Sequence, residues 1–425
     1  MINKPMSRRH LATSGTFGLS TFAFWSLSTH PSEGKSKKLP LVPDTNNILS
    51  LPKNFRYHII DQQGTLMNDG YFVPGRPDGM ACFEGPNNQL ILMRNHELSP
   101  EHREIGPLGT IKKQSPFAYD QNSHGGVSRL VFDPNTRQVT HRNMVLMGTN
   151  RNCAGGPSPW GWLSCEENVA PNHGFVFLCE TSATSAAEAN KIENYGRFNH
   201  EAVCIDPTTH AAYLTEDRKD GCLYRFVPFE EEKSPFHGTL AAMKVKNRPH
   251  FDTGSRMSQG ERLAIEWVTW NSSTKTDNLR LLAKEKGAAT VHRGEGIWLA
   301  EGEIFFAATS GGPQEHGQIF RLIDEGGHSG YLECLVQAEE KSTLDKPDNI
   351  TVSPWGSIFI AEDGKSRPNG IKIATPQGNV STFAENLMSS NEIAGVCFSP
   401  SGQFLFFNFQ VEGLTFAVEG PFAQL

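Results

Sequence analysis

The stretch from Arg151 to Asn168, RNCAGGPSPWGWLSCEEN, combines a thiol with paired carboxylates in a segment too rich in Gly and Pro for an amphipathic helix or a simple strand. The thiolate of Cys153 is a soft ligand, which indicates a transition metal such as iron or zinc. The carboxylates of Glu166 and Glu167 are hard oxygen ligands that suit calcium. Together they suggest a mixed metal site, although Cys153 taken alone is equally well explained as a buried core thiol.

Further segments place acids or amides near strand ends, and MRNHE and GRFNHE share an Asn-His-Glu triplet. In an extended chain alternate side chains share a face, so Glu97 and Glu201 are better ligand candidates than His96 and His200. A single acid in such a place is usually a solvated loop charge, but repetition at matched positions favours metal binding. The remaining candidates are Glu216 and Asp217 in YLTEDR, Arg293 and Glu295 in VHRGEG, and Asp348, Asn349, Glu362, Asp363 and Lys365 in PDNITVSPWGSIFIAEDGK.

The elements that must position these residues form a recurring unit of strand, turn, strand and acids. The turns that begin at Ser353 and Ser399 are 46 residues apart, close to a propeller-blade period of roughly 40–50 residues. The chain is therefore predicted to be an all-β propeller of about six blades, with a β-sandwich pair as the alternative. Residues 182–192 and 276–288 are predicted as short helical insertions. In a propeller, equivalent positions converge on one end of the central channel, where collected acids need cations to neutralise them.

Composition excludes several function classes. The 425 residues carry a formal net charge of −7, with 37% hydrophobic and 20% charged residues, which argues against a nucleic-acid partner. P-loop, HExxH, GxSxG and Rossmann fingerprints are absent from the sequence. The eight cysteines form no CxxC pair, and except for Cys153 they are predicted to be small buried hydrophobes. The pair Trp160 and Trp162 is interpreted as packing.

The N-terminal stretch MSRRHLATSGTFGLSTFAFWSLSTH has a twin arginine, Arg8 and Arg9, followed by an apolar run. This pattern predicts a twin-arginine export signal over residues 1–30, a linker over 31–45 and the propeller over 46–425. The alternatives are a disordered tail or an uncleaved anchor. Export predicts a periplasmic or extracellular location, with the twin-arginine translocation machinery as a partner and a monomeric product.

Arg293 and Lys365 are cations among these acids. They have either an ion-pairing role or the role of clamps on an anionic substrate. A multi-metal cluster beside an Arg and a Lys suits phosphoryl transfer, in which charge develops on the equatorial oxygens.

From about residue 70 to the C-terminus, the chain resembles the PhoX family of bacterial alkaline phosphatases. The resemblance rests, in order, on MRNHE, GGVSRLVFDP, NCAGGPSPWGWLSCEEN, GRFNHEAVCIDP, YLTEDR, LYRFVP, PDNITVSPWG, AEDG and NEIAGVCFSPSGQFLFFNFQ. It implies a six-bladed propeller that is exported by the twin-arginine route. It also implies an active site that contains iron and calcium ions and hydrolyses small phosphomonoesters. The chain is shorter than the longer family members, which implies missing insertions around the substrate pocket.

The resemblance also implies roles for individual residues. Cys153 of the NCAGG motif matches an iron ligand, and Arg293 and Lys365 match the phosphate-contacting pair. The implied metal-binding residues are Glu167, Glu201, Glu216, Glu295, Asp348, Asn349 and Glu362. The rival hypotheses are a calcium-dependent lactonase or carboxylesterase, and a non-catalytic propeller that calcium only stabilises. Neither rival gives the thiol or the Arg/Lys pair an obvious purpose.

Overall fold

Short runs of Phe, Ile, Val and Tyr between Gly- and Pro-containing turns form antiparallel strands throughout the chain, as expected for pleated, half-buried segments. The computed structural model describes residues 39–109, 115–229, 234–270, 276, 279–365 and 368–425. The predicted export signal, with Arg8 and Arg9, lies outside the described residues. Among those residues, no helix is long and apolar enough to cross a membrane.

Six four-stranded antiparallel units, here called blades, account for nearly all of the strands. Three strands precede the first blade: β1 (Leu41–Val42), β2 (Leu49–Pro52) and β3 (Arg56–Gln62). Blade 1 contains β4 (Pro77–Glu84), β5 (Leu90–His96), β6 (Gly125–Asp133) and β7 (Gln138–Thr149). Blade 2 contains β8 (Asn152–Ser158), β9 (Gly161–Glu166), β10 (Val176–Cys179) and β11 (Asn190–Ile192). Blade 3 contains β12 (His200–Ile205), β13 (Ala212–Glu216), β14 (Leu223–Pro228) and β15 (Gly238–Val245).

The second half of the chain repeats the scheme. An extra outer strand, β16 (Arg262–Val268), joins β15 of blade 3 to β20 of blade 4. Blade 4 contains β17 (Gly294–Ala300), β18 (Glu303–Ala308), β19 (Gln318–Asp324) and β20 (Ser329–Gln337). Blade 5 contains β21 (Pro347–Val352), β22 (Ile358–Glu362), β23 (Gly370–Ala374) and β24 (Val380–Asn386). Blade 6 contains β25 (Ile393–Phe398), β26 (Phe404–Phe409) and β27 (Leu414–Glu419), and β3 completes it from the N-terminal side.

The innermost strands form a closed ring around a central channel. Each of β4, β8, β12, β17, β21 and β25 contacts the next, and β25 contacts β4. An apolar cluster fills every interface between successive blades, including the one between blades 6 and 1. Ring closure leaves few sheet edges exposed, which is how propellers avoid edge-to-edge association. The all-β propeller prediction is therefore confirmed, and the sandwich alternative is wrong.

Of the turns and helices predicted from the sequence, the two turns and one of the two helices form. The turns at Ser353 and Ser399 each join the first two strands of a blade, with Gly356 N–H and Gly402 N–H donating back to the Ser353 and Ser399 carbonyls at 2.9 and 2.8 Å. They lie in successive blades, so their spacing is one blade repeat. Within the helix predicted over 276–288, α2 (Leu279–Glu285) forms. The helix predicted over 182–192 is wrong, because that segment is loop followed by β11.

The remaining helices are short. The α-helix α1 spans Thr253–Arg256, and the 3-10 turns span Pro86–Asn88, Pro100–Ile105, Glu193–Tyr195 and Phe422–Gln424. Strand β1 lies inside the segment predicted as a linker and pairs with β2, which in turn extends blade 5 through β24. The boundary at residue 46 stays a prediction.

Candidate metal centre

Each inner strand begins with a register shift at the same end of the channel. The shifts fall at Pro77/Met80, Asn152/Gly155, His200/Val203, Gly294/Ile297, Pro347/Ile350 and Ala394/Cys397. A bulge of this kind inserts an extra residue and redirects a side chain, and bulges are common beside active sites. The six bulges therefore set up equivalent positions around one channel mouth, here called the rim.

A repeated hydrogen bond aligns the six blades residue by residue. The N–H that follows the second strand donates to the carbonyl that precedes the bulge, at 2.9–3.3 Å in every blade. The donors are Glu97, Glu167, Asp217, Thr309, Asp363 and Gln410, and the acceptors are Arg76, Arg151, Asn199, Arg293, Lys346 and Glu392. Two residues after each acceptor comes the bulge position, occupied by Asp78, Cys153, Glu201, Glu295, Asp348 and Ala394. Five of these six carry a metal-ligating group.

The acids from different blades come within reach of one ion. Ligand atoms of Glu201, Glu295 and Asp348, from three successive blades, lie within 4.8 Å of one another. A second group with the same spacing consists of Asp348, Asp363 and Glu392. Asp348 belongs to both groups. The rim thus contains two adjoining groups of carboxylates that could each hold a hard cation such as calcium, which prefers oxygen ligands.

Cys153 lies against this acidic group rather than in an apolar core. Its thiol donates to the carbonyls of His200 and Glu201 in the next blade, at 3.3 and 3.6 Å. Burial first, and then the negative charges of Glu201 and Glu167, raise the pKa of the Cys153 thiol well above its ordinary value. A bound cation would instead lower the pKa of this thiol, because metal coordination stabilises the thiolate.

The carboxylates of the rim are short of positive partners. Burial, followed by repulsion from neighbouring acids, raises the pKa values of Asp78, Glu201 and Glu392 well above their ordinary range. The pKa values of Glu295 and Asp348 are raised in the same way, although Arg293 partly offsets the effect for both. Asp78, Glu201 and Glu295 are buried, and Asp348 and Glu392 are half-buried. Acids so placed are costly unless cations neutralise them. The donor set therefore fits metal ions.

Four of the six residues that precede the bulges are basic and have a left-handed backbone conformation. Arg76, Arg151, Arg293 and Lys346 have φ of 43°, 54°, 54° and 58°, a region that costs a non-glycine residue of order 1 kcal/mol and concentrates at functional sites. Arg151 bridges Glu97, at 2.8 Å, and Glu167. Arg293 donates through Nε and Nη2 to both oxygens of Asp217 at 2.8 Å, and through Nη2 to Glu295 at 2.9 Å.

The structure brings about half of the predicted site residues together at the rim. Cys153, Glu167, Glu201, Glu295 and Asp348 all lie at the rim. Arg293 lies there too, and Lys365 is exposed beside Asp363, whose pKa it helps to lower against a net rise to about 6 caused by burial.

At two strand exits, the acid that reaches the rim is not the one predicted as a ligand. Glu216 points into its own blade, where it accepts from Tyr224 Oη at 2.9 Å and from the Cys222 N–H at 3.2 Å. Glu362 likewise accepts from the Asp345 N–H at 2.8 Å and faces Lys372. Their neighbours Asp217 and Asp363 reach the rim instead, because successive side chains in a strand alternate between faces. The geometry therefore argues against Glu216 and Glu362 as ligands.

Asn349 is also placed differently from expectation. Its side-chain oxygen accepts from the Gly395 N–H, and its amide donates to Asp348 Oδ1 at 2.8 Å. It therefore orients the bulge acid rather than offering a free oxygen to an ion. Trp162 is buried and donates to Asn95 at 2.7 Å, in agreement with a packing role.

Sequence reasoning missed Asp78 and Glu392. Asp78 had a usable signal, since Pro77-Asp78-Gly79 repeats the Pro347-Asp348-Asn349 pattern at the start of an inner strand. The residue after the bulge position is small for a steric reason, because a Cβ on Gly79 would lie 2.4 Å from Ala154 Cα of blade 2. Glu392 had no such signal, because blade 6 has alanine at the bulge position.

The far end of the channel is chemically different. Apolar residues, including Ile297, Ile350 and Val396, fill its middle and leave only about 20 Å³ of space. Beyond them, a cavity of about 440 Å³ is lined mainly by apolar side chains such as Trp298, Phe305 and Phe398. The acids and the thiol thus share one end of the channel.

Among the solved structures compared with this chain, one with a TM-score above 0.5 supports the propeller fold. PhoX from Pseudomonas fluorescens, solved in complex with vanadate, a transition state analogue, superposes with a TM-score of 0.69 at 18% identity, covering 91% of this chain and 97% of that chain. A gluconolactonase from Xanthomonas campestris has a TM-score of 0.41 at 10% identity, with 92% and 99% covered. A periplasmic gluconolactonase from Pseudomonas aeruginosa has a TM-score of 0.42 at 13% identity, with 80% and 97% covered.

The sequence comparisons identify the family. No curated protein matches the chain. The family model described as alkaline phosphatase PhoX matches residues 36–145 and 134–413, which together span most of the chain. This protein therefore belongs to the PhoX family of alkaline phosphatases, which are phosphoric monoester hydrolases.

Proposed function

We propose that this protein is an exported phosphomonoesterase whose rim holds iron and calcium ions. The observation that carries the proposal is the bulge repeat: five of the six inner strands aim a carboxylate or a thiol at one channel mouth. A structural propeller has no need for that concentration of buried negative charge, which costs stability when no cation neutralises it.

The chemistry of the donors divides the rim between two kinds of metal. The thiol of Cys153, beside Glu201, suits iron, because a soft ligand among carboxylates favours a transition metal. The group formed by Asp348, Asp363 and Glu392 contains oxygen ligands only and suits calcium. Glu201, Glu295 and Asp348 join the two regions.

When bound, such ions supply Lewis-acid polarisation of the phosphoryl group and activation of the attacking oxygen. The protein's own contribution is to position the substrate and stabilise charge. Arg293 is held rigidly by Asp217 and Glu295, which leaves its Nη1 without a protein acceptor among the described residues. That N–H edge would donate to the equatorial oxygens of the phosphoryl group as charge builds on them.

Lys365 would act as a mobile second cation. It is exposed next to Asp363, on the loop that follows β22. An ammonium group on a flexible stem can follow the phosphoryl oxygens as the bond to the leaving group breaks. Small phosphorylated molecules are the substrates that this arrangement would admit.

The proposed location is periplasmic or extracellular. It is supported by the Ser-Arg-Arg-x-Leu pattern around Arg8 and Arg9, which is typical of twin-arginine export. The twin-arginine machinery would then be a partner during export, and we propose that the exported protein is a monomer. The lactonase hypothesis is less favoured, because it needs calcium and a base but gives no purpose to Cys153 or to the Arg293–Asp217 pair.

The test is hydrolysis of p-nitrophenyl phosphate by the metal-replete protein, before and after chelation. We expect chelation to abolish turnover and calcium to restore it, because the rim carboxylates hold the ions that polarise the substrate. The control is the same protein assayed with a lactone and a carboxylic ester. Folded, metal-replete protein that hydrolyses lactone but no phosphomonoester would contradict the proposal.

A further inference from the structure

We propose that Arg76 is a second anion anchor, which makes the enzyme prefer phosphomonoesters whose leaving group carries a second negative group. The inference rests on the proposed function of the rim. It concerns specificity rather than the reaction itself. Candidate leaving groups are those with a carboxylate or a further phosphate.

Arg76 occupies the same structural position as Arg293. Each precedes the bulge of its inner strand, has a left-handed φ, and accepts a hydrogen bond at its carbonyl from the residue after the second strand. Arg76 belongs to blade 1 and Arg293 to blade 4, so two blades lie between them on either side of the six-blade ring. The two guanidinium-bearing residues therefore stand on opposite sides of the channel mouth.

Arg76 forms no ion pair with a carboxylate of the described residues. Its Nη1 donates to the neutral side chain of Gln410 at 3.1 Å, and no carboxylate of the described residues lies within ion-pair distance of it. Arg151 and Arg293, in equivalent positions, are both held by carboxylates. A partly buried guanidinium without a counter-ion, next to the channel mouth, can therefore bind an anion supplied from outside.

Gln410 fixes Arg76 beside the rim. The amide of Gln410 donates to Asp78 Oδ2 at 2.8 Å and to Glu97 Oε2 at 3.0 Å, while its oxygen accepts from Arg76. Gln410 thus satisfies two rim acids and orients the guanidinium without neutralising it. In the aligned position, blades 1, 2, 3 and 5 have an acid. An acid at position 410 would form an ion pair with Arg76 and neutralise the charge that could otherwise bind a substrate anion.

These contacts define how a substrate would lie. The phosphoryl group would be held next to Arg293, and the leaving group would extend across the mouth towards blade 1. A guanidinium matches the planar oxygens of carboxylate or phosphate with two parallel hydrogen bonds. A neutral leaving group gains nothing from Arg76, so the residue selects by charge.

The test compares two substrates that differ at one carbon. Glycerol 3-phosphate releases a neutral alcohol, and 3-phosphoglycerate releases one with a carboxylate. Losing a charge-assisted hydrogen bond is expected to lower kcat/KM of R76Q for 3-phosphoglycerate about 10- to 100-fold, mainly through KM. The value for glycerol 3-phosphate should stay within about threefold, and Arg76→Lys should recover part of the loss.

A binding measurement separates this inference from the proposed function. Calorimetry with phosphonoacetate and ethylphosphonate, which are not hydrolysed, should show R76Q weakening only phosphonoacetate. The matched control is Arg262→Gln, an arginine on outer strand β16 that stacks on Tyr331. Equal losses for both members of each pair, or no loss for either, would overturn the role of Arg76. If neither phosphate ester is hydrolysed, the proposed function fails, and the phosphonate pair still decides on Arg76.

Discussion

Replacing Asp348 by asparagine is expected to strip metal from the rim and to lower kcat/KM for a phosphomonoester by about a thousandfold. Asp348 is the residue shared by the two groups of carboxylates that can each hold an ion. Removing its charge weakens both sites at once, whereas Glu295 or Glu392 belongs to one group only. The side chain changes little in size, so the fold should be kept. Metal content by mass spectrometry and steady-state kinetics measure the two effects.

Glu362→Gln is the matched control for Asp348→Asn. Glu362 lies at the end of β22 in the same blade and is almost fully buried, but its carboxylate faces Asp345 and Lys372. We expect this variant to retain its metal content. Loss of metal in Glu362→Gln with full retention in Asp348→Asn would show that the alternate face of the blade holds the ions, contrary to the geometry.

Replacing Asp61 by asparagine is expected to destabilise the protein by about 3–5 kcal/mol, because it leaves a buried arginine without its partner. Asp61 lies on β3, the N-terminal strand that completes blade 6. Its carboxylate accepts from Arg94 Nη2 at 2.7 Å and from Arg142 Nε at 2.6 Å, both in blade 1. The side chains of Arg94 and Asp61 are 1% and 0% exposed. The ion pair thus joins the last blade to the first and closes the ring.

The measurement is equilibrium unfolding in guanidinium chloride, with Glu188→Gln as the control at an exposed acid. The control should change the free energy of unfolding by less than about 0.5 kcal/mol. An Asp61→Asn variant as stable as the wild type would mean that the ring closes without this ion pair. In that case the apolar cluster between blades 6 and 1, which includes Ile60, Leu92 and Phe404, would be sufficient.

The architecture could be predicted from the sequence because each blade consists of local turn and strand patterns that recur along the chain. Turns such as Ser353–Gly356 and the apolar runs beside them depend on neighbouring residues, so they can be recognised without the fold. The helix expected over 182–192 fails for the opposite reason. Its alanines and Glu188 favour a helix locally. However, β11 pairs with β10 of blade 2, and this tertiary pairing overrides the local propensity.

The site was only partly predictable, since it depends on the face to which a side chain points at a strand exit. The pairs Glu216–Asp217 and Glu362–Asp363 have equal chemistry in sequence, and only the register of the blade decides which member reaches the rim. Asp78, in contrast, is a rim residue that could have been predicted from the sequence. Its four-residue context, a basic residue, any residue, a ligand and a small residue, recurs as Arg293-Gly-Glu-Gly and Lys346-Pro-Asp-Asn. This repeat can be read from the sequence alone, and the aligned bulges explain why it recurs.

We expect Cys153 and the rim acids to hold one metal cluster that serves phosphomonoester hydrolysis. The iron content per chain of the wild type and of Cys153→Ala is the decisive measurement. Cys179→Ala is the control at a buried thiol away from the rim. We expect iron in the wild type and in Cys179→Ala, and at least about tenfold less iron in Cys153→Ala together with lost phosphatase activity. Full iron and full activity in Cys153→Ala would contradict it.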